Sequence, residues 1–236
     1  MENNIIIDNN CWVACCDILG FKNRVEGFEE QAGVGYLNVF VNNFYSKIID
    51  ALKRRRQYDR DKVFFTWFSD TFMFFTRDDS EDAFGSMHNS FDIFCWEVIS
   101  SGWPLRGAIG FGQLYADVSK NLFLGSGIIN AYEYAEKQNW IGSIVTPEAN
   151  NRLSELCIDL SNWPVAFTKY PVPFNQQEER ASTLNPELFV SRIHHQRPEV
   201  TRAVKAMQQE AMKDKNYQEK HRIKYENALN FFEEHP

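Results

Sequence analysis

The feature that most restricts the fold of this chain is an apolar segment that ends on a carboxylate. Residues 11–16 read CWVACC, a length and composition typical of a buried β-strand, and Asp17 follows directly. Burying a carboxylate without a partner is costly. Asp17 therefore either caps the turn that follows or binds a metal ion, and the segment alone leaves both possibilities open.

A second carboxylate lies at the tip of a predicted β-hairpin. Residues 62–77 read KVFFTWFSDTFMFFTR, two aromatic-rich runs separated by Ser69 and Asp70. Polar turn residues between two β-prone runs are typical of a hairpin. The sequence thus predicts two strand ends that each carry an aspartate, Asp17 and Asp70.

The rest of the chain alternates between helical and strand patterns. Apolar residues at helical spacing predict helices over about 28–51 and 80–100, and a glycine-punctuated strand follows over 104–115. The later predicted elements are a helix after Gly125, a short strand near 142–145, a helix from Thr146, an edge strand within 162–174 and a helical stretch over 198–232. The order βαββαβ with additions predicts an α+β fold, with helices packed on a mainly antiparallel sheet. We expect one domain over residues 1–195 and a C-terminal helical extension over 196–236.

Composition narrows the kinds of partner that fit this chain. Its 236 residues include 25 Lys and Arg against 32 Asp and Glu, a net charge of −7. This balance argues against nucleic acid or a membrane surface as the main partner, because both attract cationic proteins. No run approaches the ~18 apolar residues of a membrane span and no secretory signal is present, so we expect a cytoplasmic protein. The five cysteines lack metal-ligand pairing and are expected to be reduced thiols.

Four sequence blocks resemble, in order and spacing, the catalytic domain of class III nucleotidyl cyclases. They are DILGF from Asp17, FSDTFMFF from Phe68, RGAIGFG from Arg106 and GSGIINAYEYAE from Gly125. The resemblance covers roughly residues 11–149. It implies a ferredoxin-like βαββαβ core and an enzyme that cyclises a nucleoside triphosphate and releases pyrophosphate.

The resemblance also implies roles for individual residues. Asp17, Asp70 and the Ile18 carbonyl match the family's ligands for two divalent cations, Mn²⁺ or Mg²⁺, which favours metal binding over capping. Arg106 matches an arginine that binds the triphosphate, and Asn130 matches an asparagine that orients the ribose. A surface arginine at a strand end and a polar residue at a helix start remain the alternatives for these two. The nucleotide pocket is expected to include Phe21, Lys22, Thr66, Phe68, Phe123 and Tyr134.

Several positions of the family pattern carry different residues in this chain. Thr66 and Phe123 stand where purine cyclases have charged or hydrogen-bonding residues that recognise the base. Tyr134 replaces an arginine that contacts the α-phosphate, and Phe111 replaces a histidine. This pattern resembles the bacterial pyrimidine cyclases of antiphage defence, whose cyclic UMP or cyclic CMP activates a separate effector protein. We therefore expect UTP, favoured over CTP, as the substrate, and a purine cyclase or a catalytically degenerate interaction module as the alternatives.

The resemblance finally implies an assembly. Class III sites form between two subunits, with the metal ligands on one and contacts to the base or ribose on the other. A chain with a single catalytic block is therefore expected to form a homodimer with composite active sites.

Overall fold

The computed structural model of the protein describes residues 6–32, 42, 46, 62–175, 187–192, 198–213 and 219–235. The strands in this part of the chain are β1 (Ile6–Ile18), β2 (Val63–Phe68), β3 (Thr71–Thr76), β4 (Leu105–Asp117), β5 (Leu122–Leu124), β6 (Gly142–Val145), β7 (Phe167–Pro171) and β8 (Glu187–Ser191). The helices are α1 (Phe21–Ala32), α2 (Glu81–Ser100), α3 (Ser126–Lys137), α4 (Pro147–Glu155), α5 (Pro198–Ala211) and α6 (Glu219–Glu234).

The strands form one sheet in the order β2-β3-β1-β4-β6-β8-β7, and β5 pairs with the far end of β4. β1 lies at the centre and runs antiparallel to both β3 and β4. The pairing of β4 with β6 is parallel, whereas β6 and β8 pair in the antiparallel sense. This arrangement confirms the predicted α+β class with a mainly antiparallel sheet.

Local capping signals fix several helix starts. Ser80 precedes α2 and its hydroxyl accepts a hydrogen bond from the Ala83 N–H, and Thr146 does the same for Ala149 at the start of α4. α1 begins at Phe21, earlier than the predicted start near residue 28, because Gly20 turns the chain with φ of +72° directly before it. Most of the predicted helix beyond residue 32 lies outside the described residues. Strand β8 was not predicted.

Side-chain alternation along β1 divides the apolar residues between the two faces of the sheet. Trp12 and Cys16 belong to a main core that includes residues of α2, α5 and α6. Cys11 and Cys15 belong to a smaller second cluster on the other face, with Ala131 of α3. All five cysteines are free thiols, as expected, and Cys157 is the exposed one.

The two C-terminal helices share the main core. Residues of both helices belong to it, including Val204 and Met207 of α5 and Phe231 of α6. The division of the chain near residue 195 stays a prediction. Within the described ranges, none of the helices combines the length and the apolarity that a membrane crossing requires.

Candidate active site

The structure brings the two predicted aspartates together at the end of the central strand. Asp17 lies near the end of β1, opposite Thr71 on β3 and opposite Arg106 on β4. Asp70 occupies the β2–β3 turn, and its carbonyl accepts a hydrogen bond of 3.2 Å from the Ile18 N–H. The backbone contact at Ile18 therefore joins the hairpin tip to the end of β1.

The Asp17 carboxylate is partly buried, with 27% of its side chain exposed. Burial is the largest influence on its pKa and raises it to about 6. The positive charge of Arg106 opposes this rise, and the negative charge of Asp70 adds to it. Because the Asp70 carboxylate acts directly on that of Asp17, the pair suits a hard cation, which would lower the repulsion between the two negative charges.

Within the described ranges, Asp17 and Asp70 are not part of a larger cluster of metal-ligating side chains. No group of three or more His, Cys, Asp or Glu side chains suited to a metal occurs in those ranges. A cation at Asp17 and Asp70 would complete its coordination with backbone carbonyls, water or substrate oxygens. The donor set fits Mg²⁺ or Mn²⁺, which keep water and phosphate ligands when bound to one or two carboxylates.

Arg106 connects this acidic pair to the C-terminal end of α3. One of its terminal nitrogens lies 3.4 Å from an Asp17 carboxylate oxygen. The other donates hydrogen bonds to the carbonyls of Glu136 and Gln138, the latter at 3.1 Å. Carbonyls at a helix C-terminus favour a cation, so these contacts fix the guanidinium, which is 11% exposed. Its contact with a triphosphate stays a prediction.

Glycines on β4 allow α3 to lie close against the sheet. A Cβ atom at Gly110 would lie 2.6 Å from the Asn130 side-chain oxygen and 2.9 Å from the Ala131 nitrogen. A Cβ atom at Gly112 would lie 2.7 Å from the Gly127 nitrogen. These contacts explain the glycine pattern of the strand and place Asn130 directly over Gly110.

Asn130 is held by two residues at the start of α4. The Thr146 hydroxyl donates a hydrogen bond of 2.7 Å to the Asn130 side-chain oxygen. The Asn130 amide nitrogen donates a hydrogen bond of 2.6 Å to the Glu148 carboxylate. Tyr134, one turn further along α3, is half-buried with its ring 6.2 Å from that of Phe174. Burial is the main cause that raises the Tyr134 pKa, and the charge of Glu148 adds to it.

In a single chain the predicted site residues form two separate groups. Asn130 lies over Gly110 of β4. Gly110 is four residues from Arg106 on this strand, which corresponds to roughly 13 Å between the two residues. Phe123 pairs with Ala116, still further from Arg106 on the same strand, and its ring lies 5.6 Å from that of Phe75. We call Asp17, Ile18, Asp70 and Arg106 the acidic group, and Phe123 and Asn130 the distal group.

Two further predicted pocket residues, Phe68 and Thr66, lie on the face of the sheet that carries Asp17. Phe68 pairs with Thr71, which also pairs with Asp17, so all three side chains share one face of the sheet. Phe68 is 86% exposed, and Thr66, two residues earlier on the same face, is half-buried.

Two pocket residues come from the first turn of α1. Phe21 packs on the main core with its ring 6.4 Å from that of Trp103. Lys22 is exposed and lies 3.6 Å from Glu26. Whether these residues contact a nucleotide stays a prediction.

Sequence reasoning missed three residues beside these groups. Gln138 and Glu148 belong to none of the four blocks that carry the resemblance. Tyr132 is exposed, and the charges of Asp17, Asp70 and Arg106 are among the influences on its pKa, after Glu136 and burial. Tyr132 and Glu136 are one helical turn apart on α3, so their side chains lie on the same face of that helix. This spacing is visible in the sequence, but only the contact between Arg106 and the Glu136 carbonyl links that face to the acidic group.

Comparison with known proteins supports the fold. No family model and no curated protein matches this sequence. The catalytic core of a rhodopsin-guanylyl cyclase with converted specificity, in complex with ATPαS, is 9% identical, with a TM-score of 0.50 over 80% of this chain and 98% of that chain. A bacterial light-regulated adenylyl cyclase is 10% identical, with a TM-score of 0.51 over 88% of this chain and 58% of that chain. At these identities the likeness shows the fold, which is that of class III cyclase catalytic domains.

Proposed function

We propose that the protein is a metal-dependent nucleotidyl cyclase, a lyase that converts a nucleoside triphosphate into a 3′,5′-cyclic nucleotide and pyrophosphate. The observation that carries this proposal is the meeting of Asp17 and Asp70 beside Arg106, at the end of the central strand. The fold supports it, because the compared structures are a guanylyl cyclase core and an adenylyl cyclase.

The acidic group would bind the metal ions and the phosphates that take part in the reaction. The ribose 3′-oxygen forms a bond to the α-phosphorus, the bond from that phosphorus to the bridging oxygen breaks, and the hydroxyl proton passes to water. Asp17, Asp70 and the Ile18 carbonyl would hold two divalent cations, Mn²⁺ or Mg²⁺, which when bound stabilise the attacking and leaving oxygens. Arg106 adds a fixed positive charge beside the same carboxylates.

We propose a pyrimidine nucleotide, UTP before CTP, as the substrate. The support is the chemistry of two positions: Thr66 is short and half-buried on the face that carries Asp17, and Phe123 offers an apolar ring. Neither side chain provides the paired donors and acceptors that hold a purine edge. A site that leaves polar groups of the wrong base unpaired rejects it by several kcal/mol.

We propose that a working site needs two copies of the chain. The acidic and distal groups are separated along β4 within one chain, and a partner could bring its distal group to the acidic group of the first. Exposed apolar residues near both groups support such an assembly: Phe68 is beside the acidic group, and Ile129 and Tyr132 flank Asn130 on α3.

We also propose that the cyclic nucleotide is a second messenger that activates a separate effector protein in antiphage defence. This step rests on the sequence resemblance to pyrimidine cyclases.

A competition experiment tests both the activity and the base preference. The purified protein is incubated with Mn²⁺ and equal concentrations of UTP, CTP, ATP and GTP, and the cyclic products are identified by mass spectrometry. We expect cyclic UMP to dominate, and Asp70→Ala to abolish every product. Dominant cyclic CMP would refute the uracil preference alone, dominant cyclic AMP or cyclic GMP would refute the pyrimidine preference, and no cyclic product would refute the cyclase proposal.

A further inference from the structure

Gln138, the residue that follows α3, is fully buried and uses its whole amide group. Its nitrogen donates to the carbonyls of Gly107, at 2.8 Å, and Tyr134, at 2.9 Å. Its oxygen accepts a hydrogen bond of 2.7 Å from the Trp140 indole N–H. Because Gly107 is the neighbour of Arg106 on β4, Gln138 fastens the end of α3 to the strand that carries the arginine.

The backbone of the same segment binds the arginine itself. The carbonyls of Glu136 and Gln138 accept hydrogen bonds from Arg106, which in turn lies against Asp17. A shift of these carbonyls would therefore move the guanidinium relative to the Asp17 carboxylate.

Helix α6 contacts residues 138–140 through Phe231 and Asn227. Trp140 is fully buried, with its ring stacked 5.6 Å from that of Tyr170 and edge-on to Phe231 of α6 at 5.2 Å. Asn227, one turn earlier on α6, donates a hydrogen bond of 2.8 Å to the Asn139 carbonyl. Both contacts reach the residues that flank or bind Gln138.

We propose that α6 positions the candidate active site: Phe231 and Asn227 hold residues 138–140, and these hold Arg106 against Asp17. α6 lies outside residues 11–149, the segment that carries the sequence resemblance. The proposal deepens the proposed cyclase function and rests on it for its activity readout. Phe231 and Asn227 are positioning residues, because they act through Gln138 and Arg106.

Amide hydrogen exchange, read by mass spectrometry, tests the structural step without any activity. The variants are Phe231→Leu and Asn227→Ala. Phe84→Leu is the matched control, because it makes the same change at a buried ring of α2 that packs on Trp12 and Phe167. At a temperature where all three are folded by circular dichroism, we expect residues 136–141 to exchange about tenfold faster or more in the two α6 variants than in the control. Equal exchange in all three variants would overturn the proposal.

Kinetics under the same conditions tests the positioning step. We expect kcat to fall about fivefold or more in Phe231→Leu, with KM within about twofold, and to stay at the wild-type value in Phe84→Leu. If α6 acts through Arg106, Phe231→Leu should cause no further loss in an Arg106→Lys background. Unchanged kcat in Phe231→Leu, or fully additive losses in the double variant, would overturn the proposal. Absence of activity in the wild type would instead refute the proposed function, and the exchange comparison would still decide whether α6 holds the segment.

Discussion

At Asp17 a carboxylate lies in a partly buried position between a second carboxylate, Asp70, and one cation, Arg106. Burial and Asp70 disfavour its charged form more than Arg106 favours it, because the net result is a raised pKa of about 6. When Asp17 is ionised, this environment lowers the free energy of unfolding. Sites of this kind commonly trade stability for function.

The raised pKa predicts a pH-dependent stability in a metal-free buffer. The folded state binds the Asp17 proton more tightly than the unfolded state, so this group lowers the free energy of unfolding as pH rises from about 4 through 6. Asp17→Asn mimics the neutral form and should be more stable than the wild type by about 1–3 kcal/mol at pH 7. The difference should vanish near pH 4. Urea unfolding with EDTA at both pH values measures this, and an Asp17→Asn variant that is less stable at pH 7 would contradict the pKa assignment.

The same carboxylates should be indispensable for turnover. We expect Asp17→Ala or Asp70→Ala to lower kcat by at least ~10³-fold, which corresponds to about 4 kcal/mol of transition-state stabilisation, while the far-UV circular dichroism stays unchanged. Glu133→Gln is a matched control, since it removes a negative charge from an exposed position paired with Lys137. Near-normal activity of Asp70→Ala with Mn²⁺ would show that the metal assignment is wrong.

At the scale of single elements, the contact between β4 and α3 sets the position of Asn130. A methyl group at Gly110 would press on the Asn130 side chain and on the α3 backbone. We expect Gly110→Ala to lower the free energy of unfolding by about 1–3 kcal/mol and to reduce activity more than this loss of folded protein explains. Thermal denaturation and kcat/KM measure the two effects.

Gly85 in α2 is a control for Gly110, because an alanine there is expected to stabilise the protein. Nothing lies within 4 Å of a Cβ atom there, so Gly85→Ala should stabilise the helix by about 0.5–1 kcal/mol and leave activity unchanged. A Gly110→Ala variant as stable and active as Gly85→Ala would contradict the close approach of α3 to the sheet.

Elements with local signals could be predicted from the sequence, and contacts between distant segments could not. Ser69 and Asp70 marked the hairpin turn, and Ser80 and Thr146 marked helix starts through their capping side chains. The short strand β8 was missed, because its apolar run over residues 188–190 has only three residues, too few to show a period, although Asn185 and Pro186 precede it. Arg106 could be placed near Asp17 by the resemblance alone. Its hold on the carbonyls at the end of α3 depends on a contact across 30 residues that no periodicity reveals.

At the scale of the whole molecule, the separation of the acidic and distal groups predicts how inactive variants should combine. Asp17→Ala damages the acidic group, and Asn130→Ala damages the distal group. If each site takes one group from each subunit, a mixed dimer has one site with both lesions and one intact site. An equal mixture of exchanging subunits should then recover about a quarter of wild-type activity, because half of the dimers are mixed and each has one working site of two.

A second mixture gives this prediction its control. Asp17→Ala and Asp70→Ala both damage the acidic group, so their mixed dimer has no intact site and should stay inactive at every ratio. Subunit exchange is verified in both mixtures with differently labelled chains, by native mass spectrometry. Recovery in the first mixture and none in the second would support a site shared between subunits. Equal results in the two mixtures, or full activity of a monomeric wild type, would refute the shared site, because a complete site would then have to form within one chain despite the distance along β4 between Arg106 and Gly110.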